Sequence, residues 1–283
     1  MQLLDSESVV PSFSNVAMKL TTMIRDENLT IDDLGQVISL DPGLTARCVR
    51  VAGSVAYRGR SISTINEALL MIGMAEIRRI ALTVGVMDTF SHLRIKIDWQ
   101  RFWLHSVLVA RLTDKVAGAF RDVNGMEYLA GLIHDIGKLI LEHYFPREFE
   151  SVVMRAMERQ CGHAQAEMDL IGIDHTQIGA AMCACLKTHP HILQAVRFHH
   201  NALHPAHTGN PDGDGGFLAA CVNVADVLAN LGDVSIGGEK PLLHAFEELP
   251  EWLYLNQWFN CRGLDLDLRT EIESAEAEIK ALG

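Results

Sequence analysis

An adjacent His134-Asp135 pair interrupts an otherwise apolar run, Gly131-Leu132-Ile133-His134-Asp135-Ile136-Gly137-Lys138-Leu139. Burying an imidazole beside a carboxylate is costly unless both find partners, and a metal ion is a common partner for that donor set. His105, His175, the pair His199-His200 and Asp226 follow the same pattern, each in or beside an apolar helical stretch. Five imidazoles and two carboxylates of this kind suggest a two-metal hydrolytic centre. On this reading His134 supplies an imidazole to one ion while Asp135 reaches toward a second and bridges the two. His105 and Asp226 complete one coordination sphere, and His175, His199 and His200 the other. Mixed imidazole and carboxylate donors suit iron, manganese or zinc better than calcium or magnesium. Two such ions about 3.5–4 Å apart polarise a phosphoryl oxygen and activate water, the requirement of phosphoester hydrolysis. Lys138, one helical turn after His134, is placed to meet a substrate phosphate as a point charge, so Asp135 and Lys138 are the candidate catalytic residues.

Taken singly, each residue has a plainer reading. A His-His pair near a helix C-terminus complements the helix dipole, and a lone lysine in an apolar helix snorkels to water. Asp226 could bond a neighbouring group. Their joint occurrence on segments that one bundle can converge is what argues for a centre. The remaining histidines read as structural or surface residues, with His204 and His207 the first exceptions to consider.

The elements that must position these residues are helical throughout. Apolar residues recur with the 3.6 period, and no alternating strand pattern stands out. Thr30-Ile31-Asp32-Asp33 has the form of a capping box, and Asp41-Pro42 places an N-cap before a proline at the first helical position. Ser63-Thr64 opens a further helix that stops near Gly73, and Ala75 to Thr89 follows. Further helices are expected from Phe102 to Phe120, over 126–143 carrying the His-Asp pair, over 146–160, from the cap at Asp174, from Pro190 to the double histidine, and from Phe217 to Leu231. The glycine-rich run 208–216 is expected to hold no regular element. The expected architecture is all-α, a multi-helix bundle. An N-terminal helical module (residues 1–95) packs on a metal-binding helical region (96–240), followed by a C-terminal helical extension (241–283).

Composition narrows the function classes. The 283 residues are 48% hydrophobic and 21% charged, the balance of a water-soluble globular chain. No apolar run reaches the roughly 20 residues of a membrane span, and the first ten residues carry Asp5 and Glu7 instead of a basic leader, so a cytoplasmic location is expected. A net charge of −12 argues against nucleic acid as a partner, because little is available to displace counterions from a phosphate backbone. The basic residues Arg47, Arg50, Arg58, Arg60, Arg78 and Arg79 form at most a weak phosphate-facing patch, more simply read as helix faces. A small phosphorylated ligand stays compatible with the charge if bound cations reverse the local potential. Six cysteines without a C-x-x-C pair read as reduced thiols, Cys183 and Cys185 as small core residues.

The motifs together resemble a known family. His105-Ser106, Leu132-Ile133-His134-Asp135-Ile136-Gly137-Lys138, His175 with Gly179, His199-His200 and Ala225-Asp226 are similar to the HD superfamily of metal-dependent phosphohydrolases and its HD-GYP branch. Leu40-Asp41-Pro42-Gly43-Leu44-Thr45-Ala46-Arg47, Arg50-Val51-Ala52-Gly53-Ser54, Ile65-Asn66-Glu67-Ala68 with Ile72-Gly73, and Glu167 before Gly172-Ile173-Asp174-His175 resemble the HD-related output domain, HDOD, more specifically. The resemblance covers roughly residues 10–235 and makes 96–240 an HD-type region. It implies a bacterial signal-transduction protein with unidentified signalling partners, in a family where many members have lost part of the metal set. This chain keeps every ligand position. It departs from HD-GYP enzymes in having Asn201 after the double histidine and no Gly-Tyr-Pro in the 210–215 loop. Arg101 stands where three-metal relatives carry a carboxylate, leaving two ions. The resemblance therefore implies a signalling protein with a retained two-metal site, the alternative being an active phosphohydrolase on a nucleotide or cyclic dinucleotide.

Overall fold

The computed structural model describes residues 15–23, 28–55, 62–203, 214–235 and 246–282, and these are all-α with no strand among them. Among the described residues five helices precede the polar bridge at 91–98: α1 (Asn15–Met23), α2 (Ile31–Ser39), α3 (Pro42–Val55), α4 (Ile65–Ile72) and α5 (Met74–Phe90). Their starts are set by side chains that satisfy orphan N–H groups. The Thr30 hydroxyl accepts from the Asp33 amide while Asp33 accepts from the Thr30 amide, and Thr64 and Glu67 repeat the reciprocal arrangement at α4. Asp41 accepts from the amides of Gly43 (2.8 Å) and Leu44 (3.0 Å), with Pro42 as the first residue of α3.

The long helix α6 (Trp99–Gly118) begins where the Asp98 carboxylate accepts from the Arg101 amide. At about 1.5 Å per residue it spans roughly 30 Å. It packs most extensively against α7 (Met126–Ile133) and α13 (Asp214–Leu231), with Phe102 and Trp103 buried. Helices α8 (Ile136–Tyr144), α9 (Pro146–Arg159), α10 (His163–Leu170), α11 (His175–Cys185) and α12 (Pro190–Phe198) follow, with α9 packed between α8 and α10. Helix α11 lies between α8 and α12, and α12 packs on α13 and α7. A short 3-10 turn (Phe246–Glu248) and α14 (Pro250–Trp258) lead to α15 (Leu268–Leu282), which packs against both α3 and α6.

Two elements differ from the sequence expectation. The run 126–143 is two helices, broken at His134-Asp135. Hydrophobic periodicity passes through the break unchanged, whereas the backbone departs from the helix at Asp135 (φ −100°, ψ 6°) and the Lys138 amide bonds the Asp135 carbonyl at 2.9 Å. Helix α13 also starts at Asp214, inside the stretch expected to be loop; residues 208–213 of that stretch, with His204 and His207, lie outside the described residues. Of the arginines weighed as a weak patch, two are committed to ion pairs. Arg47 forms an ion pair with Asp88, and Arg79 pairs with Asp114 and Glu76; Arg58 and Arg60 lie outside the described residues. No helix among the described residues is long and apolar enough to cross a membrane.

Candidate metal centre

Close helix approach places the first donors. A Cβ on Gly131 would lie 2.7 Å from Ala110 Cα, so only glycine lets α7 sit this tightly on α6. That approach puts the His134 ring 5.3 Å, centroid to centroid, from the His105 ring. The break after Ile133 resolves a geometric difficulty, because adjacent residues on one regular helix point about 100° apart. With the helix interrupted, His134 and Asp135 both face the same interior space. Gly137 makes the second close approach: a Cβ there would meet the His175 carbonyl oxygen at 2.0 Å. Asp174 caps α11 in a reciprocal box with Gln177, which fixes His175 as the first helical residue. Pro190 starts α12, and its end delivers His199 and His200; Asp226 comes from the middle of α13.

All seven predicted donor residues meet here. Their ligand-type atoms fall into two groups, each with atoms within 4.8 Å of one another: Asp135, His175, His199 and His200, and separately His105, His134 and Asp226. Asp135 lies between them. Its Oδ1 is 3.2 Å from His175 Nε2 and 3.7 Å from His199 Nε2, while its Oδ2 is 3.5 Å from His134 Nε2 and 3.7 Å from His105 Nε2. Asp226 Oδ1 is 3.3 Å from His105 Nε2. Every one of these side chains is buried except His200, which is exposed.

Hydrogen bonds on the far side of the rings decide which nitrogen is available. The Nδ1 atoms of His105, His134 and His199 lie 2.8, 2.7 and 2.9 Å from the carbonyls of Val234, Gly131 and Val196. A carbonyl only accepts, so each Nδ1 carries the proton and each Nε2 presents a lone pair to the cluster. The Nε2 atoms of His105, His134 and His199, and Oδ1 of Asp135, are buried without a hydrogen-bond partner. Four orphaned acceptors aimed at one interior space are what a cation would satisfy, and the residues therefore fit a metal centre.

Protonation states point the same way in both groups, His105 excepted. Burial drives His134 down to about 4 and His175 well below the usual imidazole range. Burial opposes charge on Asp135 as well, but Lys138 and His134 beside it hold its carboxyl well below the usual carboxylate range. Neutral imidazoles and an ionised carboxylate are the forms that ligate. His105 runs opposite: burial lowers it, yet the adjacent Asp226 carboxylate raises it on balance.

Two positioning residues were not legible from spacing. Glu167 on α10 is fully buried, and its Oε2 accepts from the His175 amide at 2.7 Å and lies 2.6 Å from His175 Nδ1. Its eight-residue offset from His175 matches no helical neighbour pair, and only the family motif marked it. Asn223, one turn before Asp226, donates to the His199 carbonyl at 2.8 Å and ties α13 to the end of α12. Lys138 is only 1% exposed and its Nζ sits 2.7 Å from Asp135 Oδ2, so its charge is directed at that carboxylate.

The model of the HDOD domain matches residues 10–202. The chain belongs to the HDOD family. An HDOD domain protein of unknown function from Geobacter sulfurreducens superposes with a TM-score of 0.80 at 26% identity, covering 96% of this chain and 91% of that one. A candidate phosphohydrolase from Shewanella amazonensis shares the fold, with a TM-score of 0.69 at 20% identity and coverage of 99% and 100%. An uncharacterized protein of Treponema pallidum is 20% identical over 278 residues, 96% of this chain, which spans 50% of that relative's length. The HDOD assignment thus covers α1 to α12 and every donor residue except Asp226.

Proposed function

We propose that this HDOD protein is a signal-transduction module that holds two divalent cations, iron, manganese or zinc, at the cluster around Asp135. The observation that carries the reading is the division of labour within one carboxylate: Oδ1 faces the His175 and His199 imidazoles and Oδ2 faces His105 and His134. A carboxylate so placed can serve two ions, with His175, His199 and His200 holding one and His105, His134 and Asp226 the other. Cations bound there would supply Lewis-acid polarisation of a phosphoryl oxygen and acidify water. Lys138 offsets the charge of Asp135 and orients it. In this reading the N-terminal module (1–95) and the C-terminal extension (241–283) face the signalling partners. Both are tied to the HD-type region (96–240) by charged contacts: Arg79 with Asp114, and Arg111 with Glu76 and Glu271.

One observation favours a second reading, an active phosphohydrolase acting on a nucleotide or cyclic dinucleotide. His200 is exposed while its group-mates are buried, so one side of that group borders solvent, from which a small phosphorylated ligand can arrive. The test of both readings is metal analysis of purified chain together with a phosphodiester panel, run beside His134→Ala and Asp135→Ala. Ions without turnover support the signalling module, and turnover abolished in both variants supports the enzyme. A folded, metal-supplemented chain that holds no ion refutes both.

A further inference from the structure

The buried histidines of the cluster are not braced alike. His105, His134 and His199 each lean on a neutral backbone carbonyl, two of them only three residues away on their own helix. His175 alone leans on a carboxylate. Glu167 Oε2 takes both the backbone amide and the Nδ1 proton of His175, and this side chain is wholly buried. A buried carboxylate is expensive unless nearby groups answer its charge, and here Lys138, the His175 amide and His163 do so. A carboxylate bonded behind an imidazole fixes the ring plane and raises the basicity of the far nitrogen. That far nitrogen, Nε2, is the one lying 3.2 Å from Asp135 Oδ1 and 3.1 Å from His200 Nε2.

We propose that Glu167 is a positioning residue that sets the cation affinity of one half of the centre, the Asp135, His175, His199 and His200 group, and leaves the other half untouched. The proposal rests on the two-cation reading above. Its basis is local geometry: the hydrogen bonds of Glu167 go to His175, whereas His105, His134 and Asp226 bond Val234, Gly131 and Asn230, none of them on α10. The two halves would then be independently adjustable, since a shift of α10 changes one ion's hold and spares its neighbour.

The test uses the full chain loaded with zinc or manganese and dialysed against graded chelator, with ions per chain counted by elemental analysis. Wild type, Glu167→Gln and Glu167→Ala are compared. The glutamine variant keeps the shape and one acceptor while removing the charge. One ion is expected to leave at about tenfold lower chelator in Glu167→Gln and at about 100-fold lower in Glu167→Ala, with the second ion held as in wild type. The Nδ1 proton resonance of His175 should move upfield in Glu167→Gln, a readout that general loosening of the fold does not produce. If Glu167→Ala fails to fold, Glu167→Gln decides alone. Both ions retained as in wild type, or both released together, overturns the role given to Glu167 while the two-cation reading stands. A wild-type chain that binds no ion overturns that reading and this one with it.

Discussion

Gly137→Ala is the substitution whose consequences the geometry determines most directly. The added Cβ would lie 2.0 Å from the His175 carbonyl oxygen, 2.7 Å from its carbonyl carbon and 2.9 Å from its Cα. All three obstacles are backbone, so no side-chain rotation relieves them. Helices α8 and α11 must separate by about 1 Å before even a tight carbon–oxygen contact is restored. Overpacking of this kind costs about 1–3 kcal/mol, and a clash against backbone belongs at the upper end. The same displacement carries His175 away from Asp135, whose Oδ1 it now approaches to 3.2 Å. Urea unfolding should show a stability loss of about 3 kcal/mol, and elemental analysis should show loss of one ion before the other. Gly53→Ala is the control, because a Cβ there meets nothing within 4 Å and should gain about 0.5–1 kcal/mol within α3. Unchanged stability in Gly137→Ala would refute the packing of α8 on α11 from which the placement of His175 is argued.

Four further outcomes are expected. Glu278 on α15 is buried with one carboxyl oxygen unpartnered, and burial pushes it up from 4.5 to about 7. The folded chain therefore holds a proton that the unfolded chain has released, so this group's contribution is full below pH 4.5 and falls as pH rises to 7, by about 3 kcal/mol in total. Glu278→Gln should flatten that slope in thermal melts at a series of pH values; a parallel pH profile in variant and wild type would count against it. Tyr128→Phe removes one partner of the buried Thr83 hydroxyl, 2.7 Å away, and leaves it Glu278, so it should cost about 1 kcal/mol in denaturant titration; a neutral result would count against the Tyr128 bond. Asp226→Asn should weaken the ion of the His105 and His134 group and spare the other, as read by chelator titration. Lys138→Met should leave the fold intact and loosen both ions, since Asp135 loses the ammonium that orients it; ion retention at wild-type chelator levels would refute that role.

Much of this was legible in the sequence where the signal is local. The boxes at Thr30, Thr64 and Asp174 are four-residue patterns, and the helices they start lie where those patterns place them. The seven clustered side chains were legible because a polar residue in an apolar helix is conspicuous in one dimension. What tertiary contact decides was not. The break between α7 and α8 keeps the hydrophobic period on both sides, so nothing local marks it, yet it is what turns His134 and Asp135 toward the same space. Glu167 lies in an ordinary amphipathic stretch and gains its meaning from His175, eight residues on. Lys138 read as a charge for a substrate because its partner, Asp135 three residues earlier, was already assigned to metal; the structure spends that charge inside the cluster. The first turn of α13 was hidden by the glycines and aspartates that precede Phe217.

The most direct test is an anomalous-scattering map from crystals of the chain grown with zinc or manganese. Two peaks are expected, one bounded by His175, His199 and His200 and the other by His105, His134 and Asp226, with one oxygen of Asp135 on each. A single peak, or none in folded and metal-supplemented protein, would contradict the account.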